Sequence, residues 1–221
     1  MKKFSIIAGW LFVLLLGPII VLNKTPFAVV SGNTIQLINL LHRLSALMAF
    51  SAIFAQIVIG ANISRLLKVF GSWIQKFHIF QGVVAYLLVL IHPLIYVFFN
   101  YKLSGSLDPF YVFTDICVLC PRPYELHYSI GRIAFWLITL AVLAAAARGE
   151  TWWKKNWRKF HILNYFVFFF LSAHAWFVGT DLVNASFIYI FWVEIGIVLL
   201  ILIQKLVILI IRLTKSKNIV Q

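Results

Sequence analysis

The segment HIFQGVVAYLLVLIHP, residues 78 to 93, has a histidine near each end of an apolar run and no charged residue between them. Together with the apolar residues around it, this run is long enough to cross a bilayer as a helix. Titratable side chains are costly inside a membrane and usually mark function there. The segment therefore predicts a membrane-spanning helix whose two histidines have partners elsewhere in the chain.

The whole chain is too apolar for a soluble domain, which has to cover itself with a polar surface. Of its 221 residues, 63% are hydrophobic and only 11% are charged. We predict an all-α fold, a polytopic six-helix membrane bundle that forms one domain over residues 1–221 in the cytoplasmic membrane, with the lipid bilayer as its surroundings. The predicted helices span about 4–22, 36–61, 74–99, 126–147, 158–179 and 186–213.

The formal net charge of +13 is unevenly placed along the chain. In a six-helix serpentine, most of the 19 basic residues fall on the side that holds both termini. The positive-inside rule then predicts that both termini are cytoplasmic. We attribute the positive charge to the membrane topology and to contact with anionic lipids, so we expect no nucleic-acid partner. The basic residues on the predicted cytoplasmic side are Lys2, Lys3, Arg65, Lys68, Lys76, Arg148, Lys154, Lys155, Arg158, Lys159, Lys205, Arg212, Lys215 and Lys217.

Two helices carry paired histidines at long spacing. His78 and His92 are separated by a rise of roughly 21 Å and lie within about 40° of one helix face. His161 and His174 in the fifth helix are separated by roughly 20 Å. Because the third and fifth helices run in the same direction, His78 is level with His161, and His92 with His174. On an ideal helix His174 lies about 140° round from His161, which predicts either a local overwinding or bend in helix five, or skewed cofactor planes.

Several readings of these histidines are open. A single intramembrane histidine can simply hydrogen-bond a neighbouring carbonyl, and a zinc site or a proton pathway is another reading. Zinc ligands must meet around one ion at about 2 Å, whereas histidines roughly 20 Å apart on one helix cannot share an ion. Haem accepts one axial nitrogen on each face of its ring. Two haems, each bound by one histidine from either helix, suit the pattern best and would pass single electrons.

The double pattern, H-x13-H in the third helix and H-x12-H in the fifth, resembles the ferric reductase-like transmembrane domain superfamily of ferric reductases and NADPH oxidase membrane domains. The lead-in WWKKNWRKFH adds to the likeness. The resemblance implies an inner haem b on His78 and His161, an outer haem b on His92 and His174, and electron transfer to an extracytoplasmic acceptor of the ferric iron type. A related short relative is the haem subunit of the periplasmic methionine-sulfoxide reductase system.

The chain has no glycine-rich dinucleotide fingerprint, and eight residues, TKSKNIVQ, follow Leu213. We therefore expect no cytoplasmic FAD or NAD domain. The chain would be an oxidoreductase component that receives electrons from a separate cytoplasmic flavoprotein reductase, and so from FAD and NAD(P)H, or from a quinol. Two alternatives stay open: a haem subunit of a periplasmic reductase or quinone-linked system, and a non-haem transporter or structural membrane protein.

Other polar residues are secondary candidates. Arg43 and Arg132 lie near the outer ends of their helices, where guanidinium groups can bind haem propionates or simply reach water. His42 and His127 lie at the same depth without partners at a matching spacing, so we do not expect them to be ligands. Glu194 is an intramembrane carboxyl: a proton carrier, the partner of Arg43 or Arg132, or a protonated structural residue.

The outer loop contains both cysteines of the chain, Cys117 and Cys120. They can form a structural disulfide, stay unpaired, or act as a redox pair that accepts electrons from the outer haem. Gly82 and the apolar run around it are predicted to form a wall for the two haems. The phenylalanines between the helix-five histidines are predicted mostly to pack against neighbours; they are Phe166, Phe168, Phe169 and Phe170.

Overall fold

A computed structural model describes residues 2–183 and 187–219, and every regular element in these ranges is helical. Six spans, counting α8 with α9 as one, are long and apolar enough to cross a membrane. The all-α class and the membrane bundle are confirmed at this level; Ser186, where the sixth helix was predicted to begin, lies outside the described residues. The helices are α1 (Lys2–Lys24), α2 (Phe27–Val30), α3 (Thr34–Ala61), α4 (Ile63–Phe70), α5 (Trp73–Ser104), α6 (Tyr111–Thr114), α7 (Pro123–Ala146), α8 (Thr151–His161), α9 (Leu163–Val178), α10 (Thr180–Val183) and α11 (Phe187–Ile219).

Local sequence signals explain where the long helices begin and end. Asn33 caps α3, and its side-chain oxygen accepts hydrogen bonds from the backbone N–H groups of Ile35 and Gln36 at 3.0 and 3.1 Å. Helix α5 ends at Gly105, whose φ of 71° suits a residue without a side chain. Pro123 begins α7, where its missing N–H has no helical partner to lose.

Helix α3 is the centre of the bundle and the most buried of the spans. It packs against α1, α5, α9 and α11. Phe50 of α3 stacks with Phe168 of α9 and with Phe191 of α11, at centroid distances of 5.0 and 5.3 Å. Phe168 is therefore a packing residue, as predicted, whereas Phe166 is 57% exposed and faces away from this core.

The bundle is built from two close helix pairs, α3 with α5 and α7 with α9. The helices that carry the histidines, α5 on one side and α8 with α9 on the other, are not principal neighbours of each other. We call the end that holds Lys2, α4, α8 and the last turns of α11 the termini end, and the opposite end the loop end. At the termini end the Lys205 ammonium group donates to the backbone carbonyl of Ala61 at 2.9 Å, which ties α11 to the end of α3.

One face of α5 is buried against α3. The Gln81 amide donates to the carbonyl of Ala52 at 2.6 Å, and Gln81, Ala85 and Val89 are buried at four-residue intervals. A Cβ on Gly82 would lie 2.6 Å from the Gln56 amide nitrogen. Gly82 therefore faces Gln56 of α3, and its missing side chain lets α5 approach α3 there. Its role in a wall for the haems stays a prediction.

The fifth span is interrupted directly after His161. Ile162 separates α8 from α9, with φ of −63° and ψ of −25°. The backbone N–H of Tyr165 bonds to the carbonyl of Ile162 at 3.1 Å, an i to i+3 bond that belongs to a tighter turn of about three residues. This local overwinding is one of the two departures from ideal geometry that the 140° offset predicted.

Candidate functional site

The loop-end histidine pair is oriented by backbone carbonyl groups. The Nδ1 atom of His92 lies 3.3 Å from the carbonyl oxygen of His42, and Nδ1 of His174 lies 2.9 Å from that of His127. Because a carbonyl can only accept, Nδ1 is the protonated nitrogen in both rings. Nε2 then keeps its lone pair, which is the tautomer of a histidine that binds a metal through Nε2.

The two loop-end histidines also lie near each other. Tyr96 lies between them, with its ring centroid 5.3 Å from that of His42 and 6.4 Å from that of Tyr128. The His42 ring stacks on His92 at a centroid distance of 4.1 Å, and Tyr128 lies 6.5 Å from His174. His92 and His174 thus lie at the same end of the bundle, although α5 and α9, which carry them, are not principal neighbours.

A glycine makes the His174 hydrogen bond sterically feasible. A Cβ built on Gly131 of α7 would lie 2.8 Å from Nδ1 of His174 and 2.9 Å from Cε1. Any larger residue would push the ring away from the carbonyl of His127. Gly131 was not among the predicted site residues, although a glycine within an apolar helix is itself a signal of close packing.

The termini-end pair is arranged differently. The rings of His78 and His161 have centroids 6.3 Å apart and planes at 80°. Their polar neighbours are side-chain amides: the Gln56 nitrogen lies 3.3 Å from Nε2 of His78, and the Asn164 nitrogen lies 3.3 Å from Nδ1 of His161. Nδ1 of His78 is buried and has no hydrogen-bond partner among the described residues.

The termini-end spacing suits two imidazoles on one metal. Imidazole–metal bonds of about 2 Å on opposite faces of an ion place the two ring centroids roughly 6 Å apart. Gly60 of α3 lies beside His78, where a Cβ would be 3.0 Å from Cε1. Each pair therefore has one ring resting on a glycine of the adjacent helix, Gly60 in one case and Gly131 in the other.

The donor set is of the kind that haem takes. The four histidines supply nitrogen donors in two pairs, one at each end of the bundle, and haem iron accepts such nitrogen donors. Among residues 2–183 and 187–219, the group of three or more metal-binding side chains that converges on one point is Cys117, Cys120 and Glu125. Haem binding by the histidines stays a prediction.

Both candidate arginines are bound to aspartates. The Arg43 Nε atom donates to Asp181 at 2.8 Å, and a second guanidinium nitrogen donates to the other carboxylate oxygen. A third contact reaches the Thr25 hydroxyl at 3.4 Å. Arg132 donates to the backbone carbonyl of Asp115 and lies 3.7 Å from its carboxylate. Both arginines are at the loop end, as predicted, and their binding to propionates stays a prediction.

Glu194 is not the partner of either arginine, which corrects one of our three predictions for it. Arg43 and Arg132 lie level with the loop-end aspartates, whereas Glu194 lies deeper in α11. It is 2% exposed, and neither carboxyl oxygen has a hydrogen-bond partner among the described residues. The Ser51 hydroxyl of α3 lies close by, yet no hydrogen bond within 3.5 Å joins the two groups.

The outer loop is attached to α7 at several points. Cys117 and Cys120 form a disulfide, and the backbone N–H of Cys117 donates to the Ser129 hydroxyl at 2.8 Å. The Trp136 indole donates to the carbonyl of Phe113 at 2.9 Å. The disulfide agrees with the structural reading of the cysteines, and electron acceptance by the pair stays a prediction.

Comparison with protein-family models, with curated proteins and with solved structures finds no match to this chain. The resemblance to the ferric reductase-like superfamily therefore rests on the histidine spacing.

Proposed function

We propose that this chain is a bis-haem b electron-transfer protein of the membrane, an oxidoreductase component that works with a separate electron donor. One observation supports the proposal most: Nδ1 of both loop-end histidines, His92 and His174, lies against a backbone carbonyl. This arrangement protonates Nδ1 and leaves Nε2 free on each ring.

In this proposal His92 and His174 hold one haem, and His78 and His161 hold the other. Haem iron supplies reversible one-electron chemistry when bound. With two histidines to hold each haem, the protein side chains would favour electron transfer over binding of oxygen at the metal. The four histidines are partly buried, on spans that are apolar enough to cross a membrane.

The direction of transfer follows from the charge distribution. With both termini in the cytoplasm, His78 and His161 face the donor, and His92 and His174 face the extracytoplasmic acceptor. The donor would be a flavoprotein reductase that uses FAD and NAD(P)H, or a quinol. The acceptor would be of the ferric iron type. Arg43 and Arg132 lie on the acceptor side, where each would exchange an aspartate contact for a haem propionate.

An absorption spectrum of the protein purified from haem-replete cells tests the proposal. We expect a Soret band, a b-type pyridine haemochrome and two haems per chain. A haem-replete preparation without a Soret band would refute the proposal. Reoxidation of the reduced protein by ferric chelates, but not by quinones or a periplasmic reductase, would distinguish the ferric reductase reading from the haem-subunit alternative.

A non-haem transporter is the second candidate, and the buried, unpartnered carboxyl of Glu194 favours it. An isolated carboxylate is very costly inside a membrane, whereas the neutral acid is far less so, and such groups often carry protons. If purified protein lacks haem, proton flux in vesicles should be lost in the Glu194→Gln variant. Flux equal to that of the unaltered chain would remove this candidate.

A further inference from the structure

A second donor group lies in the loop between α5 and α7, apart from the histidines. The sulfur atoms of Cys117 and Cys120 and a carboxylate oxygen of Glu125 all lie within 4.8 Å of one another, and the three residues are partly buried. The two cysteines are spaced as C-x2-C, which lets both sulfurs bind one metal ion. This group shares no residue with the proposed haem ligands.

The three donors are spaced closely enough for one tetrahedral ion. Metal–sulfur bonds of about 2.3 Å and metal–oxygen bonds of about 2 Å place such ligand atoms roughly 3.5 to 4 Å from one another. In the structure the two sulfur atoms are bonded to each other, and a carboxylate oxygen of Glu125 lies within 4.8 Å of both. Reduction of the disulfide must therefore let the sulfur atoms separate before an ion can enter, while Glu125 already lies beside them.

The loop and the first turn of α7 are tied together, which holds the donors in position. The backbone N–H of Cys117 donates to the Ser129 hydroxyl at 2.8 Å, and that hydroxyl donates to the backbone carbonyl of Glu125 at 2.9 Å. The cysteine loop and Glu125 are thus connected through one side chain. A site whose ligands are held beforehand loses less conformational entropy on binding.

The neighbouring charge does not prevent cation binding. Arg122 lies 3.1 Å from the Glu125 carboxylate, but its side chain is 67% exposed. An exposed ion pair of this kind contributes little stability and is readily exchanged. Glu125 can therefore turn from Arg122 to a metal ion at small cost.

We propose that reduction of the Cys117–Cys120 disulfide converts this loop into a binding site for a thiophilic divalent cation such as Zn²⁺, with Glu125 as the third ligand. A dithiol reductant gives two electrons and two protons to the disulfide and itself becomes a disulfide. The two thiols then bind the ion as thiolates and release two protons to water. Oxidation by an exchangeable disulfide, which takes the two electrons of the thiolates together with two protons from water and becomes a dithiol, would expel the ion, so the site is gated by the redox state of the loop.

Zinc binding and thiol protection test the proposal on the full chain, purified without an affinity tag. One sample is reduced with a phosphine and desalted without oxygen, and the other is left oxidised. Equilibrium dialysis against Zn²⁺ should give one more bound ion per chain in the reduced sample. Because the chain has only these two cysteines, mass spectrometry after alkylation should show that Zn²⁺ protects both. Equal zinc binding in the two samples, or unprotected thiols, would overturn the proposal.

Three variants sharpen the test. Glu125→Gln should weaken zinc binding by roughly 10- to 100-fold, and an unchanged affinity would remove Glu125 from the site. Arg122→Gln, the matched control, frees Glu125 and should bind zinc as tightly as the parent chain or more tightly. The double variant Cys117→Ser and Cys120→Ser should bind the same amount of zinc with and without phosphine. The oxidised parent chain serves as the baseline, because any zinc that it binds is held by groups other than the thiols, such as the histidines. This comparison does not depend on whether a variant folds.

Discussion

The loop-end and termini-end histidine pairs differ in what orients their rings. At the loop end, Nδ1 of His92 and of His174 lies against a backbone carbonyl. At the termini end, the ring nitrogens of His78 and His161 lie near the side-chain amides of Gln56 and Asn164. A carbonyl only accepts hydrogen bonds, whereas an amide nitrogen only donates, so the ring nitrogens that face Gln56 and Asn164 are acceptors.

The two pairs therefore show two ways of orienting a histidine ring for metal binding. The loop-end rings are fixed in one tautomer by groups that no point mutation removes, although Gly131 has to leave room for one of them. The termini-end rings depend on replaceable side chains, and Nδ1 of His78 still lacks a partner among the described residues. We therefore expect the loop-end pair to tolerate changes in its polar neighbours better than the termini-end pair does.

The largest effect should come from removing a ligand. His92→Ala should lose the loop-end haem and keep the other, so haem content falls from two to one per chain in a pyridine haemochrome assay. His78→Ala should do the same at the termini end. His127→Ala is the control, because the His127 ring stacks on Phe177 while its backbone carbonyl is what bonds to His174, and it should retain two haems. Loss of both haems or of neither in His92→Ala would break the pairing by depth.

A smaller effect should follow when Gly131 gains a methyl group. In Gly131→Ala the new Cβ would lie 2.8 Å from Nδ1 of His174, so the ring must leave the carbonyl of His127. We expect haem affinity at the loop end to fall by about 10- to 100-fold, measured by haem titration of the apoprotein. Gly196→Ala is the control, since its Cβ meets nothing within 4 Å, and it should bind haem as the parent chain does. Equal affinities in the two variants would contradict the packing argument.

The ion pair between Arg43 and Asp181 should matter for stability rather than for haem. Both side chains are largely buried, 21% and 10% exposed, so Asp181→Asn should cost about 1–3 kcal/mol. Lys205→Met removes a single exposed bond at the opposite end and should cost less than about 1 kcal/mol. Thermal unfolding in detergent compares the two variants. A larger loss of stability in Lys205→Met than in Asp181→Asn would contradict this prediction.

The smallest effect should come from an amide beside His78. Gln56→Leu should weaken haem binding at the termini end by about tenfold or less and leave the loop-end haem unchanged. Gln81→Leu removes another buried amide, one whose nitrogen bonds to the Ala52 carbonyl rather than to a histidine. It should keep both haem affinities even if the protein is less stable. A change at the loop end in Gln56→Leu would show that the two pairs are not independently oriented.

Much of the fold follows from the sequence because a bilayer leaves few choices for an apolar chain. Backbone groups in lipid must be bonded within their own segment, so long apolar runs become helices. The six spans were predicted from length and hydropathy alone. The sequence indicated only that His161 and His174 would point in different directions on an ideal helix. It did not locate the turn at Ile162, because local bonding there depends on the packing around it.

Several site features had no signal in the sequence. The carbonyls of His42 and His127 are backbone groups, which every residue possesses, so nothing marks them as ring partners. The bond between Arg43 and Asp181 joins residues 138 positions apart, and no spacing rule connects them. Glu194 was recognised as unusual, yet its distance from both arginines depends on how α11 packs against α3.

The sequence by itself determined the membrane class, the number of spans and the spacing of the four histidines, because length, hydropathy and helical rise are local properties. Tertiary structure alone decided that α5 packs on α3 and α9 on α7, that Gly131 admits the His174 ring, and that carbonyls orient one pair while amides orient the other. These outcomes depend on which helices meet and how closely, which is set by contacts between residues far apart in the chain.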